Sequence, residues 1–302
     1  MIKKQNQRYV APPKPTPLRA TEQVELMTFL LAKMGGMSRN SVKSLLAHRQ
    51  VTVNNKVTTQ FNQMLEPKDL VVVSSSRGNI ELNHPKLRII HEDAYLIIVE
   101  KKEGLLTVST GDNDETTAFS ILRNHVKKSS PTNRIYTVHR LDRETSGILM
   151  FAKTREIQLA LQEHWHEVVV RRVYVALVEG KMEREADTIK TWLTENEKSL
   201  RIHSSEKDNG GQQAITHYRC VKSNDEFSLL EIELETGRKN QIRVHMESIG
   251  HPIVGDKKYG AGQSPIGRLG LHARILAFDH PMSREIVSFE TPVPRNFLTL
   301  FH

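Results

Sequence analysis

The residues His139-Arg140-Leu141-Asp142-Arg143-Glu144-Thr145-Ser146-Gly147 set a carboxylate between two arginines, immediately ahead of the apolar run Ile148 to Phe151. A carboxylate that works while ionised in a water-poor pocket needs cations beside it, because desolvation otherwise raises its pKa. The same arginines would attract the phosphates of a polyanionic substrate. Two other readings fit the residues alone. Thr145-Ser146-Gly147 is also ordinary turn chemistry, with Asp142 tied up in a salt bridge to Arg140 or Arg143. Asp142 and Glu144 could instead be the paired carboxylates of a small-molecule glycosidase, although an i, i+2 spacing in a loop beside two arginines suits a polyanion better.

An acid in a loop needs a buried strand behind it, and the apolar stretch from Ile148 to Ala152 reads as one. Leu87 to Ile90, Tyr95 to Glu100, Val168 to Val178, Ala214 to Val221 and Phe227 to Leu234 read as further strands. Thr117 to Val126 and Gln158 to Trp165 read as helices. Glu231, Glu233 and Glu235 alternate with Ile232 and Leu234, the pattern of a solvent-facing edge. Many strands without regular βα alternation predict an α+β fold with a mixed, largely antiparallel sheet. His164 and His166 share no helical face, so no metal is expected there.

The net charge of +8 is unevenly placed. Residues 1 to 80 hold 12 Lys and Arg against four acids, and the rest of the 302-residue chain balances at 31 of each. Glu25 to Lys33 predicts a helix broken at Gly35-Gly36. A second helix follows, with Ser38 as N-cap and Val42, Leu45 and Leu46 as its apolar stripe, from which Arg39, Lys43 and Arg49 point away. Val51 to Val57 reads as strand, turn and strand, and Leu65 to Val73 ends in a β-branched run. The organisation expected is a basic tail over 1–17, a small α/β module over 18–75, a polar linker over 76–86 and a larger domain over 87–302. Single Cys220 excludes an intramolecular disulfide. With no apolar stretch of spanning length and no leader-like start, the expected setting is the cytoplasm, away from membranes.

The N-terminal module resembles the alpha-L RNA-binding motif through Ser38-Arg39, Val51-x-Val53-Asn54 and Pro67-x-Asp69. The larger part resembles the RluA-type pseudouridine synthases. His139-Arg140-Leu141-Asp142 with Thr145-Ser146-Gly147 is similar to their signature loop. Arg172-x-Tyr174-x-Ala176-x-Val178-x-Gly180 is similar to the strand that carries their active-site tyrosine. Thr236-Gly237-Arg238-x-x-Gln241-Ile242-Arg243-Val244-His245 is similar to their third motif, and Leu271-His272-Ala273 to their closing strand. Asn240 stands where that family usually carries His, and Lys101-Lys102-Glu103-Gly104 where it usually carries Lys-Pro-x-Gly.

The resemblance implies isomerisation of uridine to pseudouridine in RNA, with no cofactor. It makes Asp142 the catalytic carboxylate, Arg243 its ion-pair partner, and Tyr174 the residue that stacks on the flipped base. Arg140 would fill the gap left by the uridine, and Leu271 would line the uracil pocket. Large-subunit ribosomal RNA is the expected substrate, tRNA the alternative, and a monomer the expected state. The rival from another class is an inactive RNA-binding assembly factor.

Overall fold

The computed structural model describes residues 17–47, 50–73, 82–109, 115–262 and 264–301. Arg49, nearly all of the expected tail and residues 76–81 of the expected linker lie outside these. The described residues form two compact units, one made of those within 17–82 together with 125–133, the other of those within 83–124 and 134–301.

In the smaller unit, helices Leu26–Lys33 and Arg39–Ala47 pack with a four-stranded sheet formed by Leu18–Arg19, Leu70–Val73, Val51–Val53 and Lys56–Val57. The second helix starts where expected: Ser38 Oγ accepts from the Ser41 N–H at 3.1 Å. Val42 and Leu46 are buried, while Arg39 and Lys43, one turn apart, are exposed. Asn54 and Asn55 both take positive φ (49° and 65°), the conformation a two-residue hairpin turn asks of its central residues. Asn54 also locks the next strand, since its Nδ2 donates to Asp69 Oδ1 at 2.8 Å and its Oδ1 accepts from the Leu70 N–H at 3.0 Å.

The larger unit is built on an 11-stranded sheet. Its main path runs Ile202–Ser205, Ala186–Glu195, Gln212–Ser223, Phe227–Leu234, Val169–Glu179, Leu271–Asp279, Ser146–Ala152, Leu96–Lys101 and Leu87–Glu92. Every pairing is antiparallel except that of Ser146–Ala152 with Leu271–Asp279. This is the mixed, largely antiparallel α+β architecture expected from the sequence. Apolar clusters bury the sheet, one containing Leu96, Ile98, Ile148 and Phe278, another Ala176, Leu230, Ile242 and Met246.

Three expectations change. Strands Ala186–Glu195 and Ile202–Ser205 were not anticipated. The helix expected to reach Trp165 stops at Glu163, and a short turn of helix, Trp165–Val168, follows His164. Phe227–Leu234 is no edge strand: it lies between Gln212–Ser223 and Val169–Glu179. Its glutamates tolerate that position because Glu231 meets Arg219 and Arg274, each at 3.3 Å, on one face of the sheet.

Candidate active site

The loop ahead of strand Ser146–Ala152 is clamped from four directions. Thr107, buried, donates its hydroxyl to Leu141 O at 2.8 Å and accepts from the Leu141 N–H at 3.1 Å. His139 Nε2 accepts from the Met150 N–H at 3.1 Å, which requires an unprotonated ring nitrogen; burial and the Arg172 charge push that imidazole down to about 3. Lys101, fully buried, donates its ammonium to the carbonyls of Leu105 at 2.8 Å and Arg143 at 3.1 Å. The Gly104 N–H reaches the same Arg143 carbonyl at 2.9 Å. Lys102, where the resembled pattern has proline, donates its backbone N–H to Lys86 O at 2.9 Å, a bond proline could not make.

The loop leads into the parallel pairing Ser146↔His272 and Gly147↔Ala273. Gly147 has φ +116°, and a Cβ there would fall 2.1 Å from Ala273 O, so only glycine permits this approach. On the neighbouring strand the register slips between Val173↔Ile275 and Tyr174↔Ala273. The extra residue is Arg274 on Leu271–Asp279, opposite the step from Val173 to Tyr174, and bulges re-aim side chains next to active sites.

The result is a cavity of about 660 Å³ whose walls include Arg140, Asp142, Tyr174, Arg243 and Leu271. All the residues singled out in the larger unit therefore line one space. Asp142 is 34 % exposed, and its Oδ2 lies 3.6 Å from Arg243 Nη1. Arg143 is engaged elsewhere, bidentate on Glu115 at 2.5 and 3.0 Å, so it does not tie up Asp142. Arg140 is exposed, and Leu271 is buried. Burial raises the Tyr174 phenol above its ordinary range, with Arg172 opposing and Asp142 adding, so at neutral pH the phenol is uncharged. Arg172, Arg238 and Lys239 add positive charge to the same walls. Gly237 makes room for one of them: a Cβ there would lie 2.8 Å from Arg172 Nη1.

Arg243 projects from helix Gln241–Ser248, and its main partner is one the sequence reading missed. Asp256, 1 % exposed, takes Arg243 Nε at 2.7 Å and Nη2 at 2.8 Å. Tyr259 lies beneath the guanidinium, 4.9 Å from ring centroid to carbon. Asn240, at a left-handed φ of 57°, accepts from Arg243 Nη1 at 3.2 Å and donates to the Tyr259 hydroxyl at 3.1 Å. The helix itself is pinned through His245, whose ring nitrogens meet Thr191 Oγ1 at 2.9 Å and Thr216 Oγ1 at 2.8 Å. Thr107, Lys101, Asp256 and Tyr259 are distant in sequence from the loop they serve. Of these, Lys101 alone stands in a stretch quoted from the sequence, Lys101-Lys102-Glu103-Gly104.

The cavity wall thus sets a half-buried carboxylate beside a guanidinium, an aromatic ring and several further cations, a setting that favours a polyanionic ligand. Residues 95–248 match the family described as RNA pseudouridylate synthase. The chain is 32% identical over 270 residues to the uncharacterized RNA pseudouridine synthase YhcT of Bacillus subtilis, covering 87% of this chain and 88% of that relative. It is 33% identical over 276 residues to the ribosomal large subunit pseudouridine synthase D of Nitrosomonas europaea, covering 87% and 79%. Among solved structures, human RNA pseudouridylate synthase domain containing 4 shares the fold at TM-score 0.58 and 24% identity, covering 70% of this chain and 90% of that one. The chain belongs to the RluA-type RNA pseudouridylate synthase family. It is an enzyme that isomerises uridine to pseudouridine in RNA. Among the described residues no helix is long and apolar enough to cross a membrane.

Proposed function

We propose that this enzyme converts specific uridines of large-subunit ribosomal RNA to pseudouridine, with Asp142 as its catalytic carboxylate. The observation that carries this reading is the convergence of Asp142, Arg243, Tyr174, Leu271 and Arg140 on one cavity. The ribosomal assignment is supported by relatives named as large-subunit synthases, 33% identical across most of this chain.

In the isomerisation the bond from ribose C1′ to uracil N1 breaks, the base turns, and a bond from C1′ to C5 forms. The hydrogen leaves C5, and N1 ends protonated, so nothing is consumed. A paired uridine must first leave its stack. Arg140 fills the space it vacates and contacts phosphate, while the released base slides between the Tyr174 ring and Leu271. Asp142 then faces the ribose, where a carboxylate assists cleavage of a glycosidic bond. Arg243, 3.6 Å from that carboxylate, fixes its place and opposes its charge in the transition state.

Residues 18–75 act as the RNA-binding module, joined through a linker at 76–86 to a catalytic domain over 87–302. Arg39, Lys43 and Arg49 contribute phosphate contacts, which fix register without reading sequence.

The test is incubation of purified protein, beside Asp142→Asn, with uridine-labelled ribosomal RNA and tRNA, followed by nucleoside analysis. Pseudouridine in ribosomal RNA from the parent alone supports the substrate class and the carboxylate. Product in tRNA only would overturn the substrate. Tight binding without product on any RNA would favour an assembly factor, and an active Asp142→Asn would overturn the carboxylate.

A further inference from the structure

From Arg268 to Thr291 runs a line of polar contacts between side chains that do not line the cavity and that none of the roles above uses. Arg268 lies on the approach to strand Leu271–Asp279 with its side chain only 9 % exposed. Its Nη1 meets Glu103 Oε2 at 2.5 Å, and its Nη2 donates to Ser146 Oγ at 2.7 Å and to Leu271 O at 3.2 Å. Its Nε donates to Leu269 O at 3.0 Å. Beyond Ser146 the line continues to His272, where Oγ and Nδ1 are 2.7 Å apart. His272 Nε2 meets Thr291 Oγ1 at 2.9 Å, and that hydroxyl reaches Arg274 O at 3.3 Å.

The direction of each bond follows from the chemistry. Arginine only donates, so Ser146 Oγ accepts from it. At the far end a carbonyl only accepts, so the Thr291 hydroxyl donates to Arg274 O and takes the Nε2–H of His272. Burial, with Arg268 and Arg274 adding, lowers His272 to about 4, so the ring is neutral and its Nδ1 accepts the Ser146 hydrogen. Each donor and acceptor on the line has one consistent role. The arrangement therefore holds Ser146 in one position.

We infer that Arg268 is a positioning residue for the isomerisation: it ties Ser146, four residues after Asp142, to Leu271 O and Glu103, and so sets the carboxylate's distance from the wall that lines the base. The inference rests on Asp142 being the catalytic carboxylate. Gly147 already brings the two strands into backbone contact, and Arg268 fixes where along that contact the loop begins. Glu103 supplies the opposing charge that lets a guanidinium stay so deeply buried.

The experiment measures kcat and KM on RNA for Arg268→Lys, Ser146→Ala, their double variant and Asp142→Asn. Val287→Ala, a core change on strand Ile286–Glu290, gauges what lost stability alone does to rate. Lysine keeps the charge near Glu103 but cannot fork to Ser146 and Leu271 O. The expected result is a KM close to the parent's, with kcat lower by about 10- to 100-fold in both single variants, since a small misplacement of a reacting group costs that much. The double variant should be no slower than the slower single, because the positioning effect of both passes through the Arg268–Ser146 contact.

If Arg268→Lys fails to fold, Ser146→Ala decides alone. Full-speed turnover by the folded variants, a loss confined to KM, or a loss matched by Val287→Ala would each overturn the inference while Asp142→Asn stays inactive. An active Asp142→Asn would remove the carboxylate assignment and this inference with it.

Discussion

Asp256 takes two of the Arg243 nitrogens in a fork at 2.7 and 2.8 Å, which leaves Nη1 as the nitrogen turned to Asp142, 3.6 Å away. The buried carboxylate aims the guanidinium, and the exposed-side carboxylate benefits from its charge. Removing the aim should therefore affect turnover more than RNA affinity. Asp256→Asn is expected to lower kcat by about 10- to 100-fold with little change in KM. Asp256→Ala should also cost about 3–5 kcal/mol of stability, because it strands a buried charge. Denaturant unfolding together with steady-state kinetics checks both, and an Asp256→Asn enzyme at parental speed would refute the aiming role.

Thr107 offers a cleaner separation, since its hydroxyl closes a two-way bond with the Leu141 backbone. Valine has nearly the same shape but strands a buried N–H and a buried carbonyl, at about 1–3 kcal/mol for each group left unsatisfied. Thr107→Val should thus unfold at lower denaturant and turn over more slowly, while Thr107→Ser keeps the hydroxyl and recovers most of both. Equal behaviour of the valine and serine variants would show that packing, rather than the hydrogen bonds, matters at this position.

How much of this was legible in the chain depended on whether the chemistry was contiguous. The segment from His139 to Gly147 carries its own acid, cations and glycine turn, so the loop and its strand could be read directly. Tyr174 and Arg243 were found because each lies within a patterned stretch of its own. Asp256, Thr107, Lys101 and Arg268 act through space on that loop, and no local periodicity marks them. Strand Ala186–Glu195 escaped for a different reason: Thr191 takes a buried position between Ile189 and Leu193, so the apolar alternation is broken by a hydroxyl that serves Ser204 and His245. The glutamates of Phe227–Leu234 misled because cross-strand arginines neutralise them in the middle of the sheet.

His245 and His272 make stability pH-dependent in a definite direction. Burial lowers both to about 4, whereas the unfolded chain holds them near the ordinary histidine value of about 6.5. Between those values the unfolded state binds more protons, so stability falls as pH drops from about 6.5 towards 4, by about 1.4 kcal/mol per pH unit for each group. His245→Gln, which can keep a bond to Thr191, should remove one such contribution. Urea unfolding at several pH values across this window gives the slope for each protein. Identical slopes for parent and variant would exclude His245 as a source of acid sensitivity.

Arg39 and Lys43 stand one turn apart on the exposed side of helix Arg39–Ala47, and Lys43 Nζ lies 5.6 Å from the centroid of the Phe61 ring. If both reach phosphates, each releases counterions on binding, and affinity depends on salt accordingly. Arg39→Gln and Lys43→Gln should each weaken RNA binding evenly across sequences and reduce the slope of log affinity against log salt by about 1. Turnover at saturating RNA should stay near the parent's, since neither side chain lines the cavity around Asp142. Titrations of the parent, the two single variants and the double variant at several salt concentrations distinguish the outcomes. A reduced slope with kcat preserved assigns these side chains to backbone contact. An unchanged slope means the helix faces solvent in the complex, and the charge excess of the N-terminal region must then act through other residues.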